Sequence, residues 1–470
     1  MEPRSQGVSY PIAEFVRDIG DIEHSTVTAI IRSKSRDRYG VSPLLREMLK
    51  GKIADIVVSP KNREEVLAVA RAAVRYRIPI TSRGGGTANY GQSVPLAGGI
   101  LLDMMGLAGV EEVTPGRIRA LAGTLVEDMD VAARQQGWEL RMHPSTKSDA
   151  TIGGYVAGGS GGPGSAAYGH LFDRGNILGA ELVTMEAEPR IMRLEGPDAG
   201  RIHHTYGATG IITSLDMPLA PAWPWRETIV AFRHYMDAVR FGIAAADAPG
   251  IIKKVMSVQE WPTPHLIKPF APLVPEGCSI VSTMIAEYSW SAFAAMAEEH
   301  QGEIVSVAAE DEGSYGAPIT EFVFGHALMH IRKSDPRRAM MEGFFQGPDL
   351  AAVIEKVHDA VCDEGPMRME IIRSASGLIG SGSPYFVYES PEQMAALVRR
   401  MQAAGAQVAN SHTSNVRAVG KRPIKDVDFE FKRMVDPYGL LNPGRFEAEE
   451  SSDAQFKFQL PTDRVTARAV

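Results

Sequence analysis

Seven of the twelve residues from Gly153 to Gly164 are glycine, and three more stand together at Gly84, Gly85 and Gly86. Glycine loses more conformational freedom on folding than any other residue, so neither cluster can be explained by helix or strand propensity. Such clusters are tolerated where backbone must come close to something else. One candidate is an anion held in a nest of successive bare amides. Arg83 and Thr87 frame the triplet with a guanidinium and a hydroxyl. Tight turns would use glycine in the same way, and for the triplet alone that is the preferred reading.

The surroundings of the clusters narrow the choice. "ADIVVSP" reads as a short buried strand. Asn62 and Glu65 have capping-box spacing, and Val66, Val69, Ala70, Ala73 and Val74 then fall on one helical face. "RIPITS" is a second strand, so residues 54–82 make a β-α-β unit with the triplet at its end. "GGILLDM" is a further strand. "TLVEDMDVAARQQGW" is a helix started by Thr124 and Glu127 and stopped by Gly137. The second cluster is followed by the strand "NILGAELVTM" and by "GATGIITSLDMPLAP". The prolines of "LAPAWPW" mark a boundary near 222. Beyond it, strands such as "SIVSTMIAE" and "RMEIIRSAS" alternate with amphipathic helices such as "SAFAAMAEEH", "DLAAVIEKVHDAV" and "PEQMAALVRRMQAAG". This predicts a second α+β domain over 223–425, and no internal repeat is visible. "FEFKRMVDPYGLLNPGRF" is a helix closed by two proline turns, and the chain after Phe446 is acidic and polar.

Several function classes are disfavoured. At 470 residues with a net charge of −8 and no long basic run, the chain does not look like a nucleic-acid binder. Two cysteines, Cys278 and Cys362, cannot build a disulfide framework or a metal cluster, and suit a reducing cytoplasm. The N-terminal stretch has no signal-peptide core, and no segment reaches about eighteen uninterrupted apolar residues, so no membrane span is expected. No G-x-x-x-x-G-K-[ST] occurs. The spacing G-x-G-x-x-G at Gly159, Gly161 and Gly164 contains Pro163, has no clear strand before it, and is not expected to open a helix. A Rossmann domain is disfavoured.

Four ordered segments resemble the FAD-linked oxidoreductases of the vanillyl-alcohol oxidase superfamily, with their p-cresol-methylhydroxylase (PCMH)-type FAD-binding domain. They are "PKNREEVLAVARAAVRYRIPITSRGGGTANYG", "HPSTKSDATIGGYVAGGSGGPGSAAYGHLFDRGNILGAELV", "GATGIITSLDMPLAP" and "DPYGLLNPGRF". The resemblance implies an α+β fold: a two-subdomain FAD-binding domain over 1–222 (core about 49–222) and an α+β cap over 223–425. Residues 426–446 would return to the FAD domain, and 447–470 would form a polar tail. It further implies that the backbone of Arg83, Gly84, Gly85, Gly86 and Thr87 cradles one side of the FAD diphosphate. Thr151, Gly153 and Gly154 would take the other side, with Gly158 and Gly161 approaching the flavin. Ile211 and Ile212 would meet the adenosine half, and Asn442 and Arg445 would return to the flavin end. Arg83 to Tyr90 contain no histidine, so histidyl attachment from that loop is excluded and non-covalent FAD is expected; attachment through the cap stays open. The metal-binding His-x-x-x-x-x-Asn-x-His run of the D-2-hydroxyacid dehydrogenase branch is not found.

The flavin would accept a hydride, leaving the protein to orient substrate and move a proton. His170, directly after Tyr168-Gly169, is the first candidate, with a backbone-bonded loop histidine as the equal alternative. His326 and His330 have i, i+4 spacing, but "EFVFGHALMHI" reads as a strand, which would separate the rings by roughly 13 Å and exclude a shared metal. His326, after a glycine, could line the cap pocket. His412 leads back toward the flavin, and Arg373 in "EIIRSAS" could clamp a carboxylate; for both, a solvated role is the competing reading. The expected function is oxidation of an alcohol, hydroxy acid or phenolic substrate by an FAD-linked oxidase or dehydrogenase, with oxygen or a redox partner as electron acceptor. A homodimer is compatible with this. A non-catalytic FAD-binding subunit of a larger dehydrogenase, an NADPH-driven reductase of the same superfamily, and a flavin-free phosphate-binding protein are the alternatives.

Overall fold

The helical periodicity after Asn62 produces the helix Arg63–Tyr76, whose first turn is closed by the Asn62 side chain accepting from the Glu65 amide at 2.8 Å. In the computed structural model, which describes residues 9–446 apart from 160, 411 and 420–423, this helix crosses between two parallel strands. The tail predicted for 447–470 lies outside the described residues. The strands Ile56–Val58 and Ile80–Arg83 are not neighbours: Ile100–Asp103 lies between them, parallel to both. Val66, Val69, Ala70 and Ala73 pack on Ile56, Val58, Ile80, Ile100 and Leu102 in one core. Leu440 and Leu441 join that core, and the Ile80 amide donates to the Leu440 carbonyl at 2.8 Å.

The second layer is an antiparallel sheet ordered Val110–Thr114, Arg117–Leu121, Ile211–Pro221, Gly179–Val183, Ile191–Glu195, with Trp138–Leu140 also paired to Ile211–Pro221. Its helix Val126–Arg134 starts one residue later than the capping pattern suggests. Thr124 Oγ1 is instead committed to the amide and carbonyl of Gly109. Helix Ile152–Gly158 opens within the second glycine cluster, and a single helical turn, Ser165–Tyr168, follows Gly164 where none was expected.

After Pro224 the chain enters an eight-stranded antiparallel sheet. Its order is Glu303–Ala309, Trp225–Phe232, Ser279–Ala286, Lys253–Gln259, Met367–Ser374, Gly377–Pro384, Glu342–Phe345, Gln407–Ala409. In chain order each half reads strand, helix, strand, strand, helix, strand. The helices are Tyr235–Asp247 and Trp290–Glu299 in one half, and Leu350–Val361 and Pro391–Ala404 in the other. The domain is therefore two β-α-β-β-α-β units. They meet edge to edge where Ser257, Val258 and Gln259 pair with Glu370, Met369 and Arg368. This corrects the expectation of no repeat: the repetition lies in strand order, not in residue identity. One face of the sheet is covered by the four helices and the other by the chain around Phe270, Tyr315, Phe322 and Ile331. No helix among the described residues is long and apolar enough to cross a membrane.

Asn442 ties three segments together. In a left-handed conformation (φ 40°), it donates through Nδ2 to the carbonyls of Gln92 at 3.0 Å and Tyr206 at 2.7 Å, and through its amide to Ile80 at 2.8 Å. Replacing Asn442 by Ala leaves two buried carbonyls unpaired and is expected to cost about 2–4 kcal/mol. Urea unfolding should show a lower midpoint at an unchanged slope.

Candidate functional site

The triplet sits between a strand end and a second subdomain, and three of its positions have no room for a side chain. A β-carbon on Gly84 would overlap Thr151 Oγ1, one on Gly85 the Asp149 carbonyl oxygen, and one on Gly86 the Arg83 guanidinium. Gly86 also has a φ of 69°. The two glycine-bearing stretches are thus in backbone contact. They line one cavity of about 1910 Å³, its open mouth included. Among the described residues, no protein group accepts from the backbone amides of Gly84, Gly85, Gly86 or Thr87. Ser82 Oγ and Arg83 Nε, both buried at this wall, also lack a hydrogen-bond partner. Unspent amides beside a guanidinium are what a diphosphate requires.

The other expected cofactor positions divide into two groups. Thr151, Gly153, Gly154, Gly158, Gly161 and Ile212 line the cavity. Thr151 Oγ1 accepts from the Gly154 amide at 3.2 Å, and the Gly153 amide is spent on the Ala122 carbonyl at 2.9 Å. A β-carbon at Gly153 would crowd Ala122, whereas Gly158 and Gly161 face open space. Ile211, Asn442 and Arg445 do not line the cavity. Ile211 pairs with Val183 in the sheet. Arg445, fully buried, spends its guanidinium on the carbonyls of Ser414 (3.0 Å), Val94 (2.7 Å) and Gly91, so it braces the 91–94 loop from behind.

At the far end, the sheet of the second domain closes the cavity with Phe324, His326, Glu342, Phe344, Arg368, Ile372 and Ser381. His170 and Phe172 face them from the stretch after the turn Ser165–Tyr168, with His170 stacked on Phe172 at 4.8 Å and edge-on to Phe344 at 6.2 Å. The strand expected at "EFVFGHALMHI" is instead 3-10 and α-helical, with helix Ala327–Ser334. Aromatic and branched residues there bury against Phe270 and Tyr315 irrespective of backbone type. The ring centres of His326 and His330 are consequently 5.8 Å apart, not the separation a strand would give. Glu321 Oε2 lies 3.2 Å from His326 Nδ1 and 4.0 Å from His330 Nε2. Burial lowers the His326 pKa against the opposing pull of Glu321, so its imidazole is neutral near pH 7. No group of three or more His, Cys, Asp or Glu among the described residues could hold a metal ion.

Two other candidates stand elsewhere. His412 is buried, with Nδ1 2.8 Å from Ser42 Oγ and Nε2 3.2 Å from the Met340 carbonyl, and it does not line the cavity. Arg373 belongs to strand Met367–Ser374, where side chains alternate between faces. Arg368 and Ile372 face the cavity, and Met369 and Ile371 enter the helix-side core. Arg373 shares the parity of the latter pair and lines a different cavity, its Nη2 on the Ala246 carbonyl at 3.1 Å. The arginine that reaches the site is Arg368. Glu370, two residues on, lies 3.6 Å from the Arg368 guanidinium and accepts from Ser257 Oγ (2.9 Å) and the Phe324 amide (2.7 Å). Burial pushes its carboxyl up to about 7 despite the guanidinium. Arg368 and Glu370 stand among methionines and isoleucines in the buried part of this strand, residues 367–372, and that contrast was the available sequence signal for a compensated charge pair, though not for the face it occupies.

Both glycine-bearing stretches fall within a segment that is similar to known proteins. A family profile described as an FAD binding domain matches residues 54–193. The glycolate oxidase subunit GlcD of Bacillus subtilis is 21% identical over 447 residues, covering 88% of this chain and 92% of that one. The D-lactate dehydrogenase of Archaeoglobus fulgidus is 34% identical over 142 residues, 30% of this chain and 31% of that one. The mitochondrial D-2-hydroxyglutarate dehydrogenase of Danio rerio is 21% identical over 83% of this chain and 78% of its own. Among solved structures, an alkyldihydroxyacetonephosphate synthase superposes with a TM-score of 0.67 at 17% identity, covering 95% of this chain and 87% of that one.

A side chain at Gly85 would push the two loops apart. Gly85→Ala is expected to lower the flavin retained through purification at least tenfold, about 1.4 kcal/mol or more. Absorbance at the flavin band against protein absorbance measures it, with unchanged far-ultraviolet circular dichroism as the folding control. The buried histidines set an acid limit. Burial lowers His412 to about 4 and His143 to about 3. The unfolded chain therefore takes up protons below about pH 6.5 that the folded chain refuses, and stability falls as pH drops from there toward 4. For His412 alone the loss is roughly 3 kcal/mol, and His412→Gln should flatten that part of a thermal-unfolding profile against pH.

Proposed function

The chain belongs to the PCMH-type FAD-binding oxidoreductase superfamily, and from that premise we propose that it oxidises a small 2-hydroxy acid, anchoring the substrate carboxylate on Arg368. The observation that carries this reading is a guanidinium only 2% exposed at the cavity's far end, its Nε without a hydrogen-bond partner. A buried cation of this kind favours an anionic occupant over a neutral alcohol or phenol. The names of the relatives above, glycolate oxidase and dehydrogenases of D-lactate and D-2-hydroxyglutarate, point the same way.

FAD, when bound, accepts the hydride from the substrate carbon. The amides of 84–87 and Arg83 hold its diphosphate by charge and hydrogen bonding, and the open side at Gly158 and Gly161 leaves room for the ring system. Arg368 fixes the carboxylate, while Phe344, Ile372 and Phe324 exclude water from the reacting carbon. His326, with Nδ1 turned to Glu321, keeps Nε2 as the acceptor for the hydroxyl proton. His170, stacked on Phe172, is the second group for proton handling.

Arg368→Met should raise KM for carboxylate substrates by about a hundredfold, the ~3 kcal/mol of a charge-assisted pair, while Arg368→Lys restores part of it. Below about pH 7 the Glu370 carboxyl is protonated and leaves Arg368 to the substrate and Glu342; above it, Glu370 ionises and competes as well. KM should therefore climb on the alkaline side, and Glu370→Gln should remove that climb. The deciding experiment is anaerobic stopped-flow mixing of the FAD-loaded protein with glycolate, lactate, 2-hydroxyglutarate, simple alcohols and phenols. Bleaching by a hydroxy acid that weakens in Arg368→Met supports the assignment. Bleaching by NADPH alone, or by no hydroxy acid, overturns it.

A further inference from the structure

A second cavity, of about 840 Å³ with its mouth, lies between the FAD-binding module and the eight-stranded sheet. One wall is apolar, formed by Trp225, Ile251, Ile252 and Pro249; the other carries four cations, Arg141, Lys253, Lys254 and Arg373, against two carboxylates, Glu139 and Asp247. Lys254 is 3% exposed, and its Nζ makes no hydrogen bond. The ammonium lies 3.4 Å from Glu139 Oε2 and 5.5 Å from the centre of the Trp225 ring. Glu139, however, already accepts from Arg134 Nη2 at 2.8 Å and Trp225 Nε1 at 2.9 Å. Arg134 also pairs with Asp130 and Glu310, and the Lys254 ammonium shares Asp130 with it.

None of the other three cations forms an ion pair among the described residues, although Asp247 offsets part of the Lys253 charge. Lys253 Nζ donates to the Ala248 carbonyl at 2.7 Å, Arg373 Nη2 to Ala246, and Arg141 to Leu219 and Gly175. Carbonyl partners orient these groups without cancelling their charge, which leaves a positive potential at the cavity wall. Burial first, and Arg373 second, pull Lys253 down to about 8 against the opposing effect of Asp247.

We propose that this second cavity is a binding site for a small organic oxyanion, a carboxylate or a phosphate monoester, whose charged head meets Lys254, Lys253 and Arg373 while its apolar body lies on Trp225 and Ile251. The site is separate from the FAD cavity but adjoins it. Tyr168 forms part of its wall, and His170, two residues on, lines the other cavity. Between them Gly169, at φ 81°, packs against the Arg373 carbonyl. The walls of the two cavities are thus two residues apart along this segment.

The test is calorimetric titration of the full-length, FAD-loaded protein with benzoate, phenyl phosphate and acetate at constant ionic strength. Saturable binding of benzoate or phenyl phosphate is expected, with acetate weaker because it lacks the apolar body. Which of the two aromatic probes binds tighter identifies the head group. Lys254→Met should weaken binding about tenfold or more, Lys253→Gln about fivefold, and Arg368→Met should leave it unchanged. If Lys254→Met does not fold, the Lys253 and Arg368 variants decide. Binding of neither aromatic probe overturns the proposal, as does binding lost in Arg368→Met and retained in Lys253→Gln, which would assign the anion to the FAD cavity.

Discussion

Two stretches of backbone that touch without side chains between them determine how the rest of this molecule is arranged. Gly84 and Gly85 lie against Thr151 and Asp149, and the amides from 84 to 87 remain without protein acceptors. These four residues are half-buried at a cavity wall, and amides grouped there without a protein acceptor are the ground for proposing an anionic occupant. Each stretch is fixed by a different layer. The strand Ile80–Arg83 leads into the first, and the Thr151-capped helix Ile152–Gly158 anchors the second. The shared core that joins the layers through Val183, Met185 and Ile211 holds the two stretches in register.

The second domain supplies the opposite end of the cavity through its seam. Where two β-α-β-β-α-β units meet, Met367–Ser374 is a central strand buried on both faces. A charged residue there requires compensation, and Arg368 finds it in Glu370 and in whatever anion enters the cavity. The helix-side parity of the same strand carries Arg373 toward the second cavity. One strand thus presents a cation to each of two compartments, with the segment 168–172 running between them.

Much of this organisation could be read from residues. The helix Arg63–Tyr76 was legible because its apolar spacing and its Asn62 cap are local, and the change of texture near 222 follows from prolines that end a strand. The glycine clusters pointed to the cavity only together and through the family resemblance, because tight turns alone would explain the triplet. What escaped was non-local or ambiguous. The repeat resides in strand order, which no residue pattern encodes when the two units share no sequence. The stretch around His326 is rich in the residues of strands, yet it buries those side chains from a helix. A strand buried on both faces shows no alternation, so nothing local indicated that Arg368, not Arg373, faces the site. The same limit applied to His412, a buried brace between Ser42 and Met340, and to Arg445, a buried guanidinium that satisfies loop carbonyls. Proximity in sequence to a cofactor-like motif did not distinguish the brace from the wall.

Unspent amides at the loop junction are proposed to hold a dinucleotide diphosphate, with Arg368 beyond its far end. A crystal structure of the full-length protein grown with FAD tests it most directly. Diphosphate oxygens are expected within about 3 Å of the amide nitrogens of residues 84–87, with the ring system extending toward His170 and the seam strand. A diphosphate seated elsewhere, with those amides facing only water, would contradict it.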